Sequence, residues 1–205
     1  MSTSSYGTEV RADAERNRAA LVGAARQVFE RDGYVRARIT DIADEAGVAH
    51  GSFYSHFDGK PAIFAAVMAE VEEEMLHPGP VLTAGDPVAV IEAANRAYLE
   101  AYRRNARLMA LLEQVATVDE SFRELRRKRS AAFLDRNARA VRRLQEAGLA
   151  DPGLDPELTS LALSTMVSRS AYAAFVLGAP PADVEPLAAT LTRLWVNALR
   201  IPTEE

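Results

Sequence analysis

The chain has 205 residues, 48% of them hydrophobic and 26% charged, with a net charge of −5. That is enough apolar material for a sizeable core, while the absence of cysteine excludes disulfides, thiolate catalysis and the commonest zinc sites. The only histidines are His50, His56 and His77. With no phosphate loop and no metal-ligand spacing beside them, an enzyme, a metal site and a cofactor are all unexpected. Over residues 1–60, eight basic side chains meet nine acidic ones. Any binding of nucleic acid must therefore come from local placement, with Arg16, Arg18, Arg36, Arg38 and Lys60 near phosphates and Asp32, Asp44 and Glu45 turned away.

The first residues, MSTSSYGTEV, are polar and lack the apolar stretch of a signal peptide. Residues 1–15 read as a disordered arm and the protein as cytoplasmic. From Asn17 to Gly33 the apolar stripe Leu21, Ala24, Ala25, Val28 and Phe29 predicts an amphipathic helix ended by Gly33. Ile39, Ile42, Ala43 and Ala46 predict a short second helix, in which Thr40 is placed to cap the first N–H groups and Asp41 complements the dipole. Gly47 supplies the positive φ that lets the chain leave that helix, and Val48 drops back into the angle between the helices.

A third helix starts near Ala49 and is anchored by Phe53 and Phe57. Its outer face carries His50, Gly51, Ser52, Tyr54, Ser55 and His56. These are short or flat polar groups that donate to phosphate oxygens and base edges, and Gly51 allows close approach of backbone to a duplex. Such a pair of helices also occurs in proteins that never touch nucleic acid, and Tyr54 or His56 could equally pack within the head. After Phe57, Gly59 can act as N-cap with Pro61 in the first turn of a fourth helix, continued by Ile63, Phe64, Val67 and Val71.

The segment from about Arg18 to Val67 resembles the DNA-binding domain of the TetR family of bacterial transcription repressors. The matching stretches are AARQVFERDGY, ITDIADEAGV, GSFYSHF and GKPAIF. The resemblance implies that Ser52, Tyr54 and His56 face DNA, with Thr40 and Lys60 holding phosphates from the flanks. Two positions depart from the family's usual pattern. Ala49 stands where a capping serine or threonine is common, which removes about 1 kcal/mol of helix stability. His50 stands where lysine or a small polar residue is usual, which suits it to read a base or to make binding pH-dependent.

Beyond the head, periodicity and breakers predict the rest of the fourth helix to about Leu76, then helices over Pro87–Arg104, Ala106–Thr117, Glu120–Ala147, Pro156–Leu177 and Ala182–Leu199. The breaks fall at His77-Pro78-Gly79-Pro80, at Gly148–Pro156 and at Gly178–Pro181. The expected fold is all-α with about nine helices: a three-helix helix-turn-helix domain over residues 16–60, then a helical effector-binding and dimerisation domain over 61–205. The run Arg123, Arg126, Arg127, Lys128 and Arg129 follows Glu120 and Glu124 by about one turn and reads as a solvated face.

The last two helices are apolar on most sides, and a small domain cannot bury both alone. A four-helix bundle with a second subunit is the natural covering, through Leu163, Val167, Ala171 and Ala174 of one helix and Leu187, Leu191, Leu194 and Trp195 of the other. The resembled family dimerises in this way, which predicts a palindromic operator in double-stranded DNA. A membrane span is disfavoured by Arg169, Ser164, Ser168 and Ser170 in the helix centre. In the middle helices Tyr98, Tyr102, Met109, Leu112, Phe133, Met166, Tyr172 and Phe175 either line an apolar cavity or fill the core. Asn95, Gln114, Asn137 and Arg169 fall within apolar stretches and need partners. Arg169 is a candidate for a ligand anion or for a carboxylate across a dimer. The expected function is a homodimeric repressor released from its operator by a small, largely apolar effector. The alternative is a helical ligand carrier or interaction protein with a weakened DNA head.

Overall fold

The computed structural model describes residues 3–76, 86–178 and 183–202, and no strand occurs among them. The helices are α1 (Thr3–Arg36), α2 (Ile39–Glu45), α3 (His50–Phe53), α4 (Lys60–Leu76), α5 (Pro87–Arg104), α6 (Ala106–Ala116), α7 (Glu120–Glu146), α8 (Pro156–Tyr172) and α9 (Val184–Leu199). A π-helical turn, Ala173–Leu177, prolongs α8 and closes on Gly178 in the left-handed conformation. The all-α architecture, with nine α-helices among the described residues, is as expected. The breaks expected at residues 77–80 and 179–181 lie outside the described residues.

The expected disordered arm is a correction. α1 begins at Thr3, and from Ala12 onward it is favoured by Ala12, Ala14, Ala19 and Ala20, strong helix formers, and by Asp13 and Arg16, which pair one turn apart. The helix breaks where expected, at Gly33 with φ 77° and ψ 165°.

Two compact units divide between Val71 and Glu72, inside α4 rather than at its start. The physical reason is burial: Ile63, Phe64, Val67, Met68 and Val71 are all fully buried. They complete the core of the first unit with Leu21, Ala25, Val28, Phe29, Ile42, Ala43 and Phe53. Phe64 meets Phe29 edge-on at 5.1 Å and Tyr34 at 5.2 Å. Each such pair adds about 0.5–1.5 kcal/mol beyond area burial.

In the second unit α7 packs along α8, α5 along α9, and α6 against α7 and the π turn. Aspartates set three of the starts: Asp86 accepts from Val88 N at 3.0 Å, Asp119 from Ser121 N at 2.9 Å and Asp155 from Leu158 N at 2.8 Å. Pro87 and Pro156 occupy the first turns, where a missing N–H costs nothing. Leu163, Val167, Ala171, Leu191 and Trp195, expected at a dimer interface, are buried inside their own chain. Leu194, also expected there, does face outward, within strips made of Leu158, Leu161, Ala162, Thr165 and Arg169 on α8, and Ala189, Thr190, Arg193, Leu194, Asn197 and Ala198 on α9.

Candidate functional site

The turn between α2 and α3 is closed by two hydrogen bonds, Gly47 N to Asp44 O (3.1 Å) and Val48 N to Ala43 O (3.0 Å). This pairing requires the left-handed backbone that Gly47 supplies at φ 67°. Arg38 precedes α2 in extended conformation and makes no side-chain cap. Thr40 therefore lies within the first turn, exposed, and the expectation that it caps the helix is overturned. Ala49 starts α3 with no side-chain cap. After four α-helical residues the chain continues in turns, with Ser55 N to Ser52 O at 3.2 Å and Phe57 N to Phe53 O at 3.0 Å.

Phe53 is fully buried and Phe57 nearly so, with ring centroids 5.8 Å apart. Those anchors turn His50, Gly51, Tyr54 and Ser55 to solvent and leave Ser52 and His56 half-buried. Tyr54 is 63% exposed and only touches Phe53 edge-on. His50 Nε2 lies 2.9 Å from Asp44 Oδ1. The acidic groups near this face are partly occupied: Arg31 binds Asp32 (3.1 Å) and Glu45 (3.2 Å). Arg36 donates to Asp32 O at 3.0 Å, Arg16 pairs with Asp13, and Arg18 lies 5.1 Å over the Phe57 ring. Arg38 is exposed and makes no ion pair among the described residues.

Lys60 is turned inward. Its ammonium donates to the carbonyls of Tyr34 (2.8 Å), Val35 (3.2 Å) and Ala37 (3.1 Å) and sits 4.8 Å from the Tyr34 ring centre. Burial draws its pKa down. All three of its donors are engaged in holding the end of α1 and the residue just beyond it, so a phosphate would have to displace a carbonyl to reach it.

The second unit contains a cavity of about 630 Å³ between α5, α6, α7, α8 and α9, within the range of sites for small organic ligands. Of the residues expected there, Asn95, Tyr98, Tyr102, Met109, Phe133, Asn137, Arg169 and Tyr172 line it. Leu112, Met166 and Phe175 do not, and Leu112 is fully buried in the core. Tyr98 meets Phe133 edge-on at 5.5 Å, and burial pushes its phenol pKa up to about 12. Burial raises Tyr102 as well. Asn95 Nδ2 donates to Thr192 Oγ1 (3.1 Å) and Asn137 Nδ2 to Ser164 Oγ (2.9 Å), so both amides serve the helix packing. Gln114 is exposed, which removes its need for a buried partner. Arg169 is exposed too and stacks 5.0 Å over the Tyr172 ring.

Five arginines line the cavity beyond the one expected there: Arg123, Arg126, Arg127, Arg129 and Arg136. Arg123, Arg126 and Arg127 are solvated and paired with Glu120, Glu113 and Glu124, as expected of that run. Arg129 instead points inward and is 5% exposed. Arg136 donates to Leu76 O at 2.9 Å and lies 5.3 Å from the Phe133 ring centre. Helical spacing held the signal: Phe122, Arg129, Phe133 and Arg136 fall seven, four and three residues apart on one face.

A helix-turn-helix head with exposed polar groups on its second helix, followed by a separate helical unit, defines a class: the DNA-binding regulators. Residues 21–67 match the tetR family of bacterial regulatory proteins, and residues 91–200 match the C-terminal domain of the transcriptional regulator EthR. The chain belongs to the TetR family of transcriptional regulators. It is 27% identical over 168 residues to the regulator TtgR of Pseudomonas putida, covering 76% of this chain and 78% of that one. A transcriptional regulator of Rhodococcus shares the fold with a TM-score of 0.73 at 24% identity, over 91% of this chain and 99% of the other. SmeT, the repressor of a Stenotrophomonas maltophilia multidrug efflux pump, does so with a TM-score of 0.71 at 22% identity, over 88% and 89% of the two chains. Its relatives regulate transcription and are not enzymes.

Proposed function

We propose that the protein is a cytoplasmic, homodimeric repressor that grips a palindromic operator through α3 and releases it when a small, largely apolar effector fills the cavity. The observation that carries the DNA half is the exposed set His50, Gly51, Tyr54 and Ser55 on a helix pinned from behind by Phe53 and Phe57. These groups suit base edges and phosphates, and Thr40 and Arg38 flank them for phosphate contact. The similarity to SmeT, a repressor by its own description, favours repression over activation.

Dimerisation is supported by the outward strips of the last two helices, where Leu158, Leu161 and Leu194 are 66%, 49% and 45% exposed. Leu187 and Ala174, half-buried, border them. The helix with its π extension, Pro156–Leu177, is long and apolar enough to cross a membrane. We read it as a soluble bundle helix instead, since α7 packs along it and it helps to wall the cavity.

For gating, α4 is the covalent route, because the first unit ends and the second begins within it. Moving such a switch from mostly bound to mostly free requires an effector that prefers the released form by about 5 kcal/mol. The quaternary part is tested by sedimentation of the protein with a duplex selected from random sequence. The expected result is an inverted repeat carrying two protomers; a single protomer on an asymmetric site would refute the dimer.

A further inference from the structure

Only two buried side-chain nitrogen or oxygen atoms lack a hydrogen-bond partner among the described residues: Arg129 Nε and Trp195 Nε1. Both residues line the same cavity. Both atoms are donors, so what this chamber leaves unmet is a demand for acceptors. The other nitrogens of Arg129 meet only thioethers, Nη1 to Met109 Sδ at 3.1 Å and Nη2 to Met75 Sδ at 3.2 Å. Sulfur of this kind is a weak acceptor and carries no charge.

A guanidinium stays charged even where burial opposes it, as it does here. No carboxylate lies within ion-pair distance of Arg129 among the described residues. Of the acidic groups that act on it from further off, Glu113 is held by Arg126 at 2.9 Å, and Glu72 stands on α4. The neighbouring phenols, Tyr98 and Tyr102, are kept protonated by burial and supply no counter-charge. An uncompensated buried cation is costly, and a bound anion with two oxygens matches the guanidinium fork.

We propose that the effector of this cavity is an organic acid, its carboxylate seated on Arg129 and its apolar body among Tyr98, Tyr102, Met109 and Phe133. The anion lies deep rather than at the mouth, since Arg129 is almost wholly buried and Arg169 is exposed. The inference rests on the cavity being the effector site, but its test uses no DNA. A failure here leaves operator binding untouched, and a failure of operator binding leaves this result standing.

The experiment is calorimetric titration of the full-length protein with decanoate and phenylbutyrate, their matched alcohols decanol and phenylbutanol, and decyl phosphate. Emission of the sole tryptophan, Trp195, which lines the chamber, gives a second readout. Each acid is expected to bind at least about tenfold more tightly than its alcohol. Arg129→Met should abolish that difference while leaving alcohol binding in place, and Arg129→Lys should keep it in weakened form. Because removing an unpaired buried charge is compatible with folding, Arg129→Met should retain its helical circular dichroism. If it does not fold, the acid-to-alcohol ratios of the unaltered protein and of Arg129→Lys decide. An acid that binds no better than its alcohol overturns the proposal, as does a preference that survives in Arg129→Met. Tighter binding of decyl phosphate than of decanoate would overturn the carboxylate assignment and give the seat to a phosphate ester.

Discussion

Arg38 stands where the chain enters the helix-turn-helix, exposed and without an ion pair among the described residues, while Arg16, Arg31 and Arg36 are occupied nearby. In a head with no basic excess, one well-placed cation carries a large share of phosphate binding. Arg38→Ala is expected to weaken DNA binding about equally on operator and unrelated sequence and to lower the salt slope by about one. Anisotropy titrations over a range of salt concentrations check this, and a loss confined to the operator would make Arg38 a base reader instead. Residues of this scale differ in how legible they were. Gly33 and Gly47 were readable because only their backbone is at stake, and both hold positive φ. Thr40 misled, because a capping residue and a first-turn residue differ by two positions and the cap position fell to Arg38. Arg129 was hidden by its neighbours: four exposed charges around it made one inward-facing arginine look like part of a solvated run.

α5 and α9, which also share the exposed Arg96–Glu185 ion pair at 3.0 Å, are joined by one buried hydrogen bond, Asn95 Nδ2 to Thr192 Oγ1 at 3.1 Å, with both residues under a tenth exposed. Thr192→Val keeps the shape and strands the amide, so it should cost about 1–3 kcal/mol. Urea unfolding measures this, and an unchanged midpoint would mean that the amide finds another partner. Helix existence was legible from periodicity and from the breakers between helices, and α5 to α9 fall within a few residues of their expected bounds. Which apolar face meets which neighbour was not. Leu161 and Leu163 are two residues apart on α8, equally hydrophobic, and only the second is buried in its own chain. A helix apolar on both sides offers no sequence signal for that choice, so most of the residues expected at an interface turned out to be core. The place where the first unit ends was equally obscure. Ile63 to Val71 continue one helical stripe through α4, and nothing in the stripe marks where the core it serves stops.

At the scale of the whole molecule the chemistry separates. The first unit carries an exposed polar face on α3, and the second carries a chamber whose orphaned buried side-chain atoms, among the described residues, are both donors. A mildly acidic regulator of this kind cannot rely on bulk attraction, so its affinity should reside in the contacts of the α3 face. The direct measurement is footprinting of the purified protein on DNA beside its own gene, at low and at physiological salt, alongside a variant carrying Tyr54→Ala and His56→Ala. The result predicted is protection of a palindrome that persists at physiological salt and disappears in the variant, with helical content unchanged. Protection that the variant retains, or no protected site at either salt, would contradict sequence-specific binding through α3 at that DNA.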